Sequence, residues 1–203
     1  MRHRHAPAAL FATVLAVTAC GAPPKPAPAS APFLSPAPSP SATPVKPAFT
    51  QLDYDDYCRN HGVTATVTLQ GIRDDPAVRR GLVTLTNATD RDCTIVERAS
   101  IVLTDADGEV VRVPRDYVDQ PRPAAPVTLE PGTSAFQGIK WTTCDRSEES
   151  CRVGSGLRFN LESVVPPSPA ELEGFPPGGG DAITMASLQL GTTQPTPRGV
   201  VAW

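Results

Sequence analysis

The sequence predicts a mainly β protein, folded as a two-sheet sandwich of antiparallel strands. Three observations lead there. Between Val63 and Leu190 apolar and polar residues alternate in short runs, a period of two that turns one face of each run toward a core. No window of ten residues in that span keeps a helical period. The runs are punctuated by Gly, Pro, Asn and Asp, the spacing of eight or nine short strands rather than of strands alternating with helices.

Taken in order, Val63 to Leu69 puts Val63, Ala65, Val67 and Leu69 on one face and threonines on the other, the pattern of a half-buried strand. Leu82 to Thr86 follows and is closed by Asn87-Ala-Thr-Asp90. Cys93 to Val96 and Ile101 to Thr104 come next. Asp105-Ala-Asp-Gly108 is a turn whose glycine accepts positive φ, so Ile101 to Thr104 and Glu109 to Val113 are expected to form a hairpin. Val127 to Leu129, the turn at Pro131-Gly132, Ala135 to Thr142, Leu157 to Leu161 and Ile183 to Leu190 complete the strands. Within Ala135 to Trp141 the alternation turns Ala135, Gln137, Ile139 and Trp141 one way, with Trp141 as the main core anchor. Pro176 to Gly180 reads as a loop, and residues 192–203 as a tail.

The segment ahead of the strands has a different character. Arg2 and Arg4 with His3 and His5 make a basic start, followed by an uncharged apolar stretch from Ala8 to Ala19, so residues 1–19 read as a signal peptide removed on export. The stretch ends Val17-Thr18-Ala19-Cys20-Gly21, which resembles the bacterial lipoprotein cleavage box. That resemblance implies cleavage before Cys20 and acylation of its sulfur and new amino terminus, palmitate being among the fatty acids expected. At about 0.8 kcal/mol per buried CH₂, two or three chains hold a protein on a bilayer where a single one is marginal. From Ala22 to Pro47 there are ten prolines interleaved with Ala and Ser, and residues 20–50 are read as a stiff, disordered linker. At ~3.1 Å per residue in polyproline II, this linker spans on the order of 90 Å at most. Residues 51–191 are left as the β-sandwich domain.

Composition narrows the function. The 203 residues include 24 Pro and 15 Gly and carry a formal charge of −3; losing Arg2 and Arg4 with the signal peptide leaves 16 basic against 21 acidic residues, a charge of −5. No basic cluster suits a phosphate backbone, so no nucleic-acid partner is expected, and no apolar run reaches the ~18 residues of a spanning helix. Processing also leaves His61 as the only histidine, next to Gly62 where a polar turn accounts for it. Lys140, the one lysine of the domain, reads as a surface charge beside Trp141 rather than as the base of a Ser-Lys pair.

With Cys20 assigned to lipid, Cys58, Cys93, Cys144 and Cys151 remain, an even number in an exported chain where oxidation is the default. Of the three pairings, Cys58 with Cys93 and Cys144 with Cys151 are favoured. The first ties the segment leading into the sandwich to the third strand, and the second closes a short polar loop. No CxxC spacing points to zinc.

These pieces together resemble a known family, the actinobacterial lipoprotein domain of unknown function with an immunoglobulin-like β-sandwich. The matching residues are Cys58, Leu85-Thr-Asn87 followed by Cys93-Thr94, Val102-Leu103-Thr-Asp105 with Gly108, Leu129-Glu-Pro-Gly132 with Ser134-Ala135, and Ile139-Lys-Trp141 before Cys144. The Cys144 to Cys151 loop is short for the family. The resemblance implies an exported, anchored sandwich and supplies no catalytic residues.

Other sites were weighed on chemistry. Asp53, Asp55 and Asp56 with Tyr54 and Tyr57 cluster oxygens suited to calcium, to paired carboxylates, or to sugar contact. Asp105 to Glu109 is part of a calcium loop at most, and Asn87-Ala-Thr89 matches a glycosylation acceptor while reading more simply as a turn. The expected protein is therefore a non-enzymatic module without cofactor, held by lipid on the extracytoplasmic face of the cell membrane. Its expected role is binding or structural, with a cell-wall polymer or envelope protein as partner. The alternatives are a carboxylate-dependent wall-polysaccharide hydrolase and a calcium- or carbohydrate-binding protein.

Overall fold

Fourteen short strands are present in the computed structural model, which describes residues 54–176 and 183–203. The signal peptide, Cys20, the linker, Asp53 and the glycines at 178–180 lie outside the described residues. The described residues belong to one compact unit. In chain order the strands are β1 (Val63–Leu69), β2 (Val78–Asn87), β3 (Cys93–Ile95), β4 (Ser100–Thr104), β5 (Val110–Val111), β6 (Arg115–Tyr117) and β7 (Val127–Leu129). They continue with β8 (Ser134–Thr142), β9 (Arg152–Gly154), β10 (Gly156–Asn160), β11 (Ser168–Pro169), β12 (Glu171–Glu173), β13 (Ile183–Met185) and β14 (Ser187–Gln194). Two single 3₁₀ turns, Tyr54–Asp56 and Asn60–Gly62, lead into β1.

A six-stranded sheet runs β12-β1-β2-β8-β14-β6, and a four-stranded sheet runs β11-β10-β4-β5. Two ribbons, β13-β9 and β3-β7, complete the molecule. The sandwich expected from the sequence is thus observed. The two outermost pairings of the large sheet, β1 with β12 and β14 with β6, are parallel, a departure from an all-antiparallel arrangement. Neither edge strand belongs to a hairpin with its neighbour; each arrives from a distant part of the chain.

Alternation explains the core. Val67 lies opposite Val83, which lies opposite Gln137, while Leu190 lies opposite Ile139, which lies opposite Gly81. These side chains share one face of the large sheet and are buried. Gly81 makes room in that layer, since a Cβ there would stand 3.0 Å from both Ile139 Cγ1 and Val67 Cγ1. Ile101, Leu103, Leu157 and Phe159 of the small sheet belong to the same core. Trp141 is buried as expected and stacks on Phe175 with ring centroids 6.2 Å apart.

Several expectations are corrected. The run Ile183 to Leu190 is two strands. Ile183 and Met185 are buried at odd positions and Leu188 and Leu190 at even ones, so the inward phase flips at Ala186 and one strand cannot serve both. Glu109 to Val113 pairs with β4 over Val110–Val111 only, because the chain then crosses to the large sheet as β6. The expected tail is part of the fold: β14 continues to Gln194 across a bulge after Leu190, where Thr192 N–H donates to Gln120 O. Thr192, Thr193, Gln194 and Val200 are buried. The last residues lie against Gly138, where a Cβ would stand 2.1 Å from Val200 O. Lys140 is half-buried, its Nζ 4.7 Å from the Trp203 ring centroid. Burial and the neighbouring Arg80 hold its pKa below the usual lysine range. Leu82 to Thr86 widens to Val78–Asn87, and β6, β9, β11 and β12 were not expected.

Both expected disulfides are present. Cys58–Cys93 has a Cα–Cα distance of 4.8 Å, and Cys144–Cys151 one of 5.5 Å.

Candidate functional site

The site is built on two turns and a strut. Asn160, at the end of β10, folds the following residues on itself: its Oδ1 accepts Glu162 N–H at 2.9 Å and its Nδ2 donates to Val165 O at 2.9 Å. Short amides close turns in this way. Asn60 then inserts from about a hundred residues earlier in the chain. Its Nδ2 donates to Asn160 Oδ1 at 2.9 Å and to Pro166 O at 3.2 Å, and its Oδ1 accepts Leu161 N–H at 2.8 Å. Glu162 turns back to the same segment, accepting from Asn60 N–H at 3.1 Å and from Arg59 Nη1 at 3.3 Å. The loop is thereby clamped to the segment carrying Cys58.

The strut is the stretch Glu97 to Ala99. Gln137, fully buried on β8, gives both ends of its amide to Ala99: Ala99 N–H donates to Oε1 at 2.7 Å and Nε2 donates to Ala99 O at 2.9 Å. Thr193 N–H donates to Glu97 O at 3.1 Å. Arg98 is held from the other side by Asp119 at 3.2 Å and lies over the Tyr117 ring, 5.4 Å from its centroid. Arg115 of β6 donates to Ser100 Oγ at 3.1 Å.

Two adjoining grooves flank this strut. One, of about 610 Å³, is lined by Ser100, Val102, Arg115, Tyr117 and Asn160, with the strut along its side. The other, of about 590 Å³, is more apolar, with Tyr57, Ile95, Val96 and Val164 among its walls. Glu97, Arg98, Leu161, Glu162 and Ser163 belong to both. Tyr117 at 55% exposure, Val96 at 38% and Val164 at 83% leave an apolar rim in water. Pre-formed concavities of several hundred Å³ with a few fixed polar groups are the usual form of a ligand site.

Sequence reasoning placed its candidates elsewhere. Asp55 and Asp56 are exposed on a 3₁₀ turn, and the Asp55 carboxylate lies 3.6 Å from Arg59. Tyr57 reaches the second groove and pairs with Thr94 as a bridge to β3. His61 is exposed in the turn before β1. Asp105 Oδ1 accepts from the N–H groups of Asp107 and Glu109, which is a hairpin turn holding itself together. Asn87 is fully buried; its amide donates to Arg91 O and Leu129 O and accepts from Thr89, so a glycan has no access to it. Asp145 accepts from Ser147 N–H and Oγ–H inside the Cys144–Cys151 loop, bonds that lower its pKa from the usual carboxylate value. Among the described residues, no three His, Cys, Asp or Glu side chains are grouped to hold a metal, and no helix is long and apolar enough to cross a membrane.

The residues that do converge, Asn60, Arg98, Arg115, Tyr117 and Glu162, were missed because they follow no alternation. Arg115-Asp-Tyr117 is polar throughout and reads as linker until β14 is seen beside it. The one local signal was Asn160-Leu-Glu162 at the end of a strand.

A family model described as a domain of unknown function, DUF4232, matches residues 58–201. No curated protein and no solved structure matches the chain.

Proposed function

We propose, for a chain that belongs to the DUF4232 family of domains of unknown function, the role of a lipid-anchored module on the outer face of the cell membrane that binds an envelope component without transforming it. The observation that carries the binding role is that the two most buried charges of the cleft are each already engaged by an opposite charge. Arg98 and Glu162 have side chains only 15% and 16% exposed, and each is held by an opposite charge, Asp119 and Arg59, at 3.2 and 3.3 Å. Such pairs keep a surface in one shape at little net gain in stability. General acid–base work asks instead for a group left poised to exchange a proton with a substrate.

The anchoring half of the reading is supported by the sequence alone, through Val17-Thr18-Ala19-Cys20 and the proline-rich stretch behind it. Two measurements test the whole. Radiolabelled palmitate should be incorporated into the wild-type chain and lost in Cys20→Ala, which should leave the membrane fraction. Crosslinking on intact cells should then capture an envelope polymer or protein with the wild type. An unlabelled wild-type chain would overturn the anchor, and turnover of isolated wall material by the purified chain would overturn the non-catalytic role.

A further inference from the structure

We infer that the paired grooves bind an uncharged sugar chain, with Tyr117 as the stacking platform. The inference rests on the envelope-binding reading for where such a ligand is met, but its chemistry comes from the grooves.

The charge balance of the lining comes first. The first groove carries Arg98, Arg115, Glu97 and Glu162; the second carries Arg59, Arg98, Glu97 and Glu162. Each therefore sums to zero formal charge, and the Arg59–Glu162 and Arg98–Asp119 pairs cancel locally as well. A ligand of net charge gains no overall Coulomb attraction here. To use Arg98 or Glu162 it would have to break their ion pairs, at a cost that grows with burial, and the exposed Arg115 and Glu97 that remain are of opposite sign.

The polar groups that remain favour hydroxyls. Ser163 can donate and accept, Ser100 keeps its O–H to donate while accepting from Arg115, the other N–H groups of Arg115 donate, and the exposed Glu97 accepts. A sugar hydroxyl does both, so it satisfies this mixture without a proton transfer or a counter-ion. Tyr117 supplies the apolar half. Arg98 covers one face of its ring, so stacking uses the opposite face, and Tyr117 is still 55% exposed on a strand whose three residues all face water. Aromatic rings stack against the C–H face of a pyranose through dispersion and the ring quadrupole, and such a platform has only two χ angles to fix.

The shape fits as well. Two grooves that meet along a shared wall accommodate consecutive units of a chain better than one compact molecule. An added peptide strand finds poor support, because β5, β6, β11 and β12, the outer strands of both sheets, have only two or three residues each.

The test uses the full chain in mild detergent, titrated separately with chitopentaose, maltopentaose, a pentagalacturonate and an uncharged alanine-rich peptide, and followed by calorimetry and by NMR shifts. At least one neutral pentasaccharide should bind and shift the resonances of Tyr117, Arg115 and Ser100. Tyr117→Ala should weaken that binding by about tenfold or more, while Tyr117→Phe, which keeps the ring, stays within about threefold of wild type. Unchanged affinity in Tyr117→Ala overturns the proposal. So does tighter binding of the pentagalacturonate or the peptide, or the absence of shifts at these residues with both neutral sugars. Palmitate labelling is independent of these titrations, so a failed anchor and a failed sugar site are told apart.

Discussion

Gln137 shows how much a single side chain carries in this molecule. Alternation along the eighth strand turns it inward with Ala135, Ile139 and Trp141, which the sequence makes plain. Its partner is not legible, because Ala99 belongs to a loop whose position depends on both sheets being packed. The amide closes the buried N–H and C=O of Ala99 at once. Gln137→Leu keeps the size and removes both bonds to Ala99 and the one accepted from Thr193 Oγ1, leaving two buried backbone groups and that hydroxyl unpaired, and should cost about 2–5 kcal/mol. Urea denaturation measures this, and a loss below about 1 kcal/mol would show that Ala99 finds other partners. The same variant frees the strut behind Arg98, so it should also loosen the wall shared by the two grooves. Asn60 and Asn160 have the same character: each is visible as a turn-forming residue, while their union across about a hundred residues is not.

At the scale of elements, legibility followed burial. β1 and β7 match their expected bounds, since both are pinned by inward apolar residues at alternate positions. The split of the last strand was encoded too, in the step from Met185 to Leu188 that breaks the period of two. Strands β6, β9, β11 and β12 left no such trace, because they are two or three residues long and their hydrogen-bond partners rather than their own sequence make them strands. The segment after β14 is an element of the same kind, held by Arg80 Nε donating to Trp203 O at 3.0 Å and by Trp203 Nε1 donating to Val200 O at 2.8 Å. Its closeness to the sheet depends on Gly138. Gly138→Ala drives a methyl group into Val200 O, backbone that cannot rotate away, and should destabilise the fold by about 1–3 kcal/mol. The NMR signal of the Trp203 indole N–H should lose its protection from solvent exchange. A fully protected indole would mean that the sheet, not the last turn, had moved.

For the molecule as a whole, the two crosslinks divide the labour unequally. Cys58–Cys93 spans 35 positions and joins the segment carrying Arg59 and Asn60 to β3, whereas Cys144–Cys151 spans 7 and closes a surface loop. On the chain-entropy account, their contributions are about 4 and about 2.5 kcal/mol, from loop length alone. Replacing both Cys58 and Cys93 by Ser should therefore lower the unfolding free energy more than replacing Cys144 and Cys151. Denaturant titration of the two double variants decides this, the reverse order counting against it. The first variant should also widen the second groove, since Cys58 lines it.

The parallel outer pairings of the large sheet bear on how the molecule comes into being. β1 emerges early yet takes its outer partner from Glu171–Glu173, and β6 has nothing to lie beside until Ser187–Gln194 follows. A chain delivered amino end first therefore leaves the β1 flank unguarded until nearly everything else has appeared. Long-range closures of this kind are slow and prone to mispairing. Until the last fifth of the chain arrives, that flank stays open to any other strand that meets it.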